Sequence, residues 1–158
     1  MVRKMVLFVL VTGVLLGAFS LVAAQDMVTA ATGLNSPRQL FLDSDGTLLI
    51  AEAGAGGDID GEGAFGPTKF GETGQITAVS PDGEQSVIIS GLISTDTGFG
   101  QIHGAHAVIA TEDSYWVAVG DGPSKGPKEG QHIAGVIQYA KDGMAMEQFI
   151  DVGYWPGR

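Results

Sequence analysis

The sequence predicts an all-β fold in which one four-stranded antiparallel unit is used twice, after an N-terminal signal helix. Three features of the 158 residues predict it. The apolar runs after residue 25 are short, and Gly, Asp and Pro separate them. The stretch FLDSDGTLLIAEAG at 41–54 returns in similar form as VIATEDSYWVAVGDG at 108–122. The 25 glycines follow no collagen-like period, so they indicate many tight turns.

The first 24 residues have the pattern of a secretory signal peptide. Arg3 and Lys4 precede an apolar run from Met5 to Ala24, and small residues end that run. We therefore predict residues 1–24 as a signal peptide that is cleaved after Ala24, and a secreted or periplasmic mature chain. The alternative is an uncleaved membrane anchor, because about 20 apolar residues can span a bilayer. The absence of Cys excludes a lipid-anchored lipoprotein and a disulfide framework.

The mature chain is strongly acidic. Two of the 8 Lys and Arg residues lie in the signal segment, whereas all 18 Asp and Glu residues follow it. Such a surface repels phosphate backbones, so the composition excludes nucleic acid as a partner. A membrane contact is expected only through the signal segment, if that segment is kept.

Two sets of four apolar runs make the predicted units. The first unit, about residues 33–92, has predicted strands at 39–42, 47–51, 75–79 and 86–92. The second unit, about residues 103–152, has them at 106–110, 115–120, 135–140 and 146–152. Asp-Gly turns are typical of such hairpins, because glycine accepts a positive φ. The pairs Leu40 with Ala107 and Ile50 with Val117 both lie 67 positions apart. Residues 27–31 are predicted to be an extra strand that has no partner in this chain.

The strands TLLIA and YWVAV are apolar at nearly every position, which indicates that both faces of each sheet are buried. Blades of a β-propeller are buried in this way, so we predict that residues 25–158 form an incomplete β-propeller. A β-sandwich is the alternative. Two blades leave two apolar faces bare. We therefore expect either the N-terminal part of a longer protein or a chain that assembles, for example as three copies with six blades.

Three segments resemble a known family: GLNSPRQL at 33–40, IAEAGAGGD at 50–58 and GETGQITAVSPDG at 71–83. They are similar to the ScyD/ScyE family, secreted NHL-like β-propeller proteins named after the gene cluster for the pigment scytonemin. The match extends from Thr32 to Leu92 and is weaker from His106 onward. Gln39 stands where the family has Gly, and Ala105 and Ala107 stand where it has Pro and Asp. The resemblance implies the N-terminal portion of an extracytoplasmic six-bladed propeller and supplies no catalytic residues.

A Gly-rich segment between the second and third predicted strands carries Asp58, Asp60 and Glu62 at alternate positions. Alternating carboxylates on a loop can wrap Ca²⁺, so these residues are candidate calcium ligands. The alternative is a solvated acidic surface loop. Glu52, at the end of an apolar run, is expected to be partly buried and to accept hydrogen bonds from loop amides.

His103 and His106 lie three apart, where the chain enters the second unit. In a propeller, such loops gather at the central channel, where a histidine can act as a general base or a metal ligand. Gly120-Asp121-Gly122 is similar to a strand ending of soluble quinoprotein sugar dehydrogenases, which adds Asp121 as a candidate. The alternative is a structural role for the histidines, and His132 is given no role.

Two functions follow from these patterns. The first is a binding or scaffold module for an unknown small-molecule or carbohydrate ligand, whose protein partners are the remaining blades or other copies of the chain. The second is a propeller enzyme, similar to a quinoprotein sugar dehydrogenase or a lactonase, that uses His103 or His106.

Overall fold

The computed structural model describes residues 27–63, 66–120, 122–123, 125–126, 131–141 and 146–152. Over these residues the chain is all-β, and no helix among them has the length and hydropathy needed to cross a bilayer. This confirms the all-β part of the predicted fold class for the described residues. The signal segment, its cleavage site and Asp121 lie outside the described residues.

Ten strands form in the described part of the chain, and all eight predicted strands are among them. The first five are β1 (Pro37–Leu42), β2 (Leu48–Glu52), β3 (Ile59–Gly63), β4 (Gly66–Val79) and β5 (Gln85–Asp96). The others are β6 (Ile102–His103), β7 (Ala105–Ala110), β8 (Ser114–Val119), β9 (Gly135–Ala140) and β10 (Met146–Asp151).

The strands form two antiparallel sheets. The first sheet has the order β1-β2-β4-β5-β6, with β3 added on β4, and the second is a meander of β7, β8, β9 and β10. Both long strands of the first sheet, β4 and β5, extend beyond β1 and β2 and pair there with β3 and β6. The predicted four-stranded units are therefore present, and the first unit is enlarged at one end.

One local expectation was wrong. The segment 54–74 was expected to be a loop, but β3 and the first part of β4 form a hairpin that pairs Ile59 with Phe70. Phe70 is buried there, and this apolar anchor makes a paired strand more favourable than a solvated loop. Residues 27–31, predicted as an extra strand without a partner in this chain, pair with no strand here, so that strand stays a prediction. The next residue, Thr32, bonds the side chain of Gln85 through both its N–H and its carbonyl.

The register of the sheets corrects the sequence offset between the two units. In β1 and β7 a bulge shifts the pairing, between Pro37 and Gln39 in one and between Ala105 and Ala107 in the other. Aligned on these bulges, the first strands lie 68 positions apart, and Leu40 corresponds to Val108 rather than to Ala107. The second strands keep the offset of 67, because the turn from β7 to β8 is one residue shorter than that from β1 to β2.

The core lies between the two sheets. Because side chains alternate along a strand, each sheet has an inner face toward this core and an outer face. The inner faces supply the buried residues Leu49, Ala51, Ile76, Ala78, Ile89, Val108, Val117 and Ile137. Each fully buried Leu, Ile or Val contributes about 1.5–3 kcal/mol relative to an exposed one, so this contact is the main stabilising contribution.

An ion pair also joins the two sheets, at the end where β1 leads into β2. Lys141, just after β9, places its Nζ 3.0 Å from Oδ2 of Asp43 and 5.3 Å from the ring centre of Tyr115. The hydrogen bond from Lys141, with one from the backbone N–H of Ser44, lowers the pKa of Asp43. The hydrogen bond to Asp43 raises the pKa of Lys141.

We expect Lys141→Gln to lower the free energy of unfolding at pH 7 by about 1 kcal/mol. Since the pKa of Asp43 is lowered on folding, the unfolded chain binds more protons in acid. The stabilisation is complete above the unfolded pKa, near 3.8, and is lost as the pH falls through the lower folded value. Urea unfolding should therefore show the stabilities of the two proteins converging as the pH falls below the folded pKa of Asp43.

The control is Lys69→Gln, which removes the same charge from an exposed pair with Asp60. It should change the free energy of unfolding by less than about 0.5 kcal/mol, both at pH 7 and in acid. An equal loss in both variants would contradict a specific role for Lys141.

Candidate functional site

The candidate site lies where β1 and β7 begin, and the two bulges build it. Arg38 is the extra residue of the bulge in β1, and His106 is the extra residue of the bulge in β7. The backbone around them repeats as well: the N–H of Ala53 bonds the carbonyl of Ser36, and that of Gly120 bonds the carbonyl of Gly104, both at 3.0 Å. A bulge turns its side chain away from the regular alternation of the strand, and bulges are frequent beside active sites.

The structure brings the two predicted histidines together. The rings of His103 and His106 meet edge to face, with their centres 6.0 Å apart and their planes at 87°. Both residues are half-buried, and Nε2 of His103 is 3.4 Å from Oε1 of Gln101. A Cβ at Gly120 would lie 3.0 Å from Cδ2 of His106, so the ring of His106 packs directly over that glycine.

Arg38 joins this pair and was missed by the sequence reasoning. Its Nη2 donates to the backbone carbonyl of Ile102, the residue before His103. The only signal that identifies it is its alignment with His106 in the repeat, which the offset of 67 concealed. Arg38, His103 and His106 are called the Arg38–histidine cluster below.

Arg38 differs electrostatically from the other basic side chains of the described residues. Lys69, Lys125 and Lys141 each pair with a carboxylate, at 2.5, 2.6 and 3.0 Å. Arg38 bonds a backbone carbonyl and has no carboxylate partner in this part of the chain. In a chain with a formal charge of −10, its uncompensated positive charge is an attractive point for an anion.

Gln39 links the two sheets beside this cluster. Its Oε1 accepts a hydrogen bond of 2.7 Å from the backbone N–H of Val108. Because β7 is an edge strand, that N–H has no partner within its own sheet. The side chain of Gln39 therefore holds β7 against β1.

The buried carboxylate of Glu52 bonds the backbone just before β1. It is 0% exposed and accepts hydrogen bonds from the N–H of Asn35 at 2.6 Å, from Gln75 at 3.0 Å and from the hydroxyl of Thr77 at 2.5 Å. Burial is thus complete rather than partial, and a backbone amide is among the donors, as expected. These donors satisfy both carboxylate oxygens, so Glu52 positions the chain before Arg38.

The glycines after Glu52 serve close packing. Gly54 has a φ of +93°, and a Cβ at Gly57 would lie 2.3 Å from the carbonyl oxygen of Phe70. The N–H of Gly56 bonds Oγ of Ser94 at 2.8 Å, and the N–H of Ala55 bonds Oγ1 of Thr73 at 3.0 Å. The segment therefore lies flat on β4 and β5, with its amides used inside the protein.

Two of the predicted calcium ligands, Asp60 and Glu62, lie on strand β3 and not on a wrapping loop. Asp58 is exposed just before β3, Asp60 contacts Lys69, and Glu62 contacts Lys125. Among the described residues, no group of three or more His, Cys, Asp or Glu side chains is arranged to hold a metal ion. Calcium binding by Asp58, Asp60 and Glu62 stays a prediction.

Two further clefts lie between the sheets. One, of about 710 Å³, is lined by the turns that contain Asp43 and Thr111. The other, of about 120 Å³, is lined by residues that include Glu72, His132 and Tyr139. His132, which was given no role, stacks on Phe149 with ring centres 3.9 Å apart, and burial raises the pKa of Tyr139.

Comparison with known proteins adds no assignment. No family model matches the chain, and no curated protein or solved structure matches it significantly. The resemblance to the ScyD/ScyE family therefore stays a prediction.

We expect Glu52→Gln to lower the free energy of unfolding by about 1–3 kcal/mol, because an amide NH₂ would replace an acceptor oxygen that faces buried donors. Chemical denaturation measures this loss. Glu62→Gln is the matched control, since its carboxylate is exposed and pairs with the flexible side chain of Lys125; it should cost less than about 1 kcal/mol. Equal effects would show that burial of Glu52 is unimportant.

Proposed function

We propose that the chain forms two neighbouring blades of a β-propeller that acts as an extracytoplasmic binding or scaffold module, with its ligand at the Arg38–histidine cluster. The observation that carries the proposal is the direction in which the two sheets stack. The acidic, Cys-free mature chain and the signal-like first 24 residues support the extracytoplasmic location.

The stacking places non-equivalent faces of the two repeats against each other. Aligned on the bulges, the inner face of the first sheet corresponds to the outer face of the second: Phe41 to Ile109, Leu49 to Trp116 and Ile76 to Val136. The inner face of the second corresponds to the outer face of the first. A two-fold sandwich of repeats would bury equivalent faces, whereas a propeller stacks each blade's front on its neighbour's back.

The outer faces are apolar, as further blades on either side would require. Leu40, Leu42 and Val87 are 61%, 68% and 50% exposed on the first sheet. Ile109 and Ile150 are 46% and 41% exposed on the second. Exposed apolar surface of this kind is typical of an interface. Further repeats of the same polypeptide or other copies of the chain would cover both faces.

We expect the mature chain to associate, so that its mass in solution is a multiple of the single-chain mass. Ile109→Lys with Ile150→Lys should reduce that mass to one chain, because a buried, unpaired ammonium group is strongly unfavourable between packed sheets. Light scattering after size-exclusion chromatography measures the mass.

The control for this test is Val28→Lys, which adds a charge at an exposed apolar residue outside both sheets and should leave the mass unchanged. A wild-type chain that remains a soluble monomer would contradict the proposal, since both apolar faces would then be stable in water.

The alternative is a propeller enzyme, and the observation that favours it is the contact between His103 and His106. A His103→Ala, His106→Ala double variant separates the two functions. For a binding module we expect no turnover of sugars or lactones by either protein. Turnover by the wild type that is lost in a variant with an unchanged circular dichroism spectrum would establish the enzyme instead.

A further inference from the structure

We infer that the Arg38–histidine cluster binds the carboxylate group of a small molecule, with Arg38 as the anchor. The inference rests on the proposed function, because the two bulges face one channel only if the sheets are neighbouring blades. It goes further by naming the chemical class of the ligand.

The repeat is the first argument. The two units put different residues, Arg38 and His106, at the same bulge, and both are donors that can carry positive charge. Most other equivalent positions of the first strands carry apolar residues, as Leu40 and Val108 do. A polar, basic residue at the one position released from the strand alternation indicates contact with a ligand rather than with the core.

The hydrogen bonding of Arg38 is the second argument. Its bond to the carbonyl of Ile102 fixes the guanidinium beside His103. A guanidinium has five N–H donors in a planar fork, so the remaining donors match the two oxygens of a carboxylate. Such bidentate bonds are stronger than neutral ones and fix the orientation of the ligand.

The charge distribution is the third argument. Every other described Lys or Arg is neutralised by a carboxylate of the chain, at Asp60, Glu62 or Asp43. Arg38 therefore stands as a positive point on an acidic protein, and the surrounding field disfavours anions elsewhere on its surface. His106 lies in edge-to-face contact with His103, which follows the residue whose carbonyl Arg38 bonds.

The test uses the mature chain with succinate as the probe, and isothermal titration calorimetry measures the affinity. Succinamide is the uncharged probe of the same shape and should not bind. Arg38→Gln should weaken succinate binding roughly ten- to hundredfold, since it removes a charged donor pair. Arg38→Lys should give an intermediate affinity, because it keeps the charge and loses the fork.

Lys69→Gln is the matched control, because it removes one positive charge at an exposed site outside the cluster, and it should change the succinate affinity by less than about twofold. Equal weakening by Lys69→Gln and Arg38→Gln would overturn the inference, since only net charge would then matter. Equal binding of succinamide, or no binding of succinate to the wild type, would overturn it as well.

The mass measurement keeps this inference distinct from the propeller proposal. An associated chain whose succinate binding does not depend on Arg38 overturns the carboxylate site alone. A monomeric chain that binds succinate through Arg38 supports the site and overturns the propeller.

Discussion

The contact between the inner faces of the two sheets is the interaction on which the rest of the structure depends. Leu49, Ile76, Val108 and Val117 are buried in it, and no polar pair in the described residues removes as much apolar surface from water. This contact places β1 beside β7, and only then do the two bulges come to the same end of the molecule. The Arg38–histidine cluster is therefore a consequence of core packing.

Polar contacts at the edges of that core define its geometry. Glu52 holds the chain before β1, and Gln39 bonds the edge strand β7. The pair of Asp43 with Lys141 joins the two sheets at the end away from the Arg38–histidine cluster. Each contact joins segments that are distant in sequence, and each satisfies a group that would be costly to bury alone. They remove less apolar surface from water than the core contact does, but they select one arrangement of the two sheets.

The sequence reasoning predicted the eight meander strands, because each is a short apolar run between turn residues. It missed the hairpin of β3, since IDGEG has low strand propensity and pairs only because Phe70 is anchored opposite Ile59. It also missed Arg38, because a bulge is a tertiary feature of pairing and the shorter turn before β8 shifts the repeat by one residue. It gave His132 no role, because the contact of His132 with Phe149 forms only in the folded chain, between residues that are distant in sequence.

The sequence by itself determined the fold class, the two four-stranded units, the neighbourhood of His103 and His106, and the acidic character of the chain, because hydrophobic period, turn chemistry and charge are local properties. Only the tertiary structure decided which face of each sheet is buried, which residues occupy the bulges, and which basic side chain of the described residues lacks a carboxylate partner. Those outcomes depend on the register between strands and on contacts across the core. A one-residue difference in a turn changes them and leaves the local pattern almost unchanged.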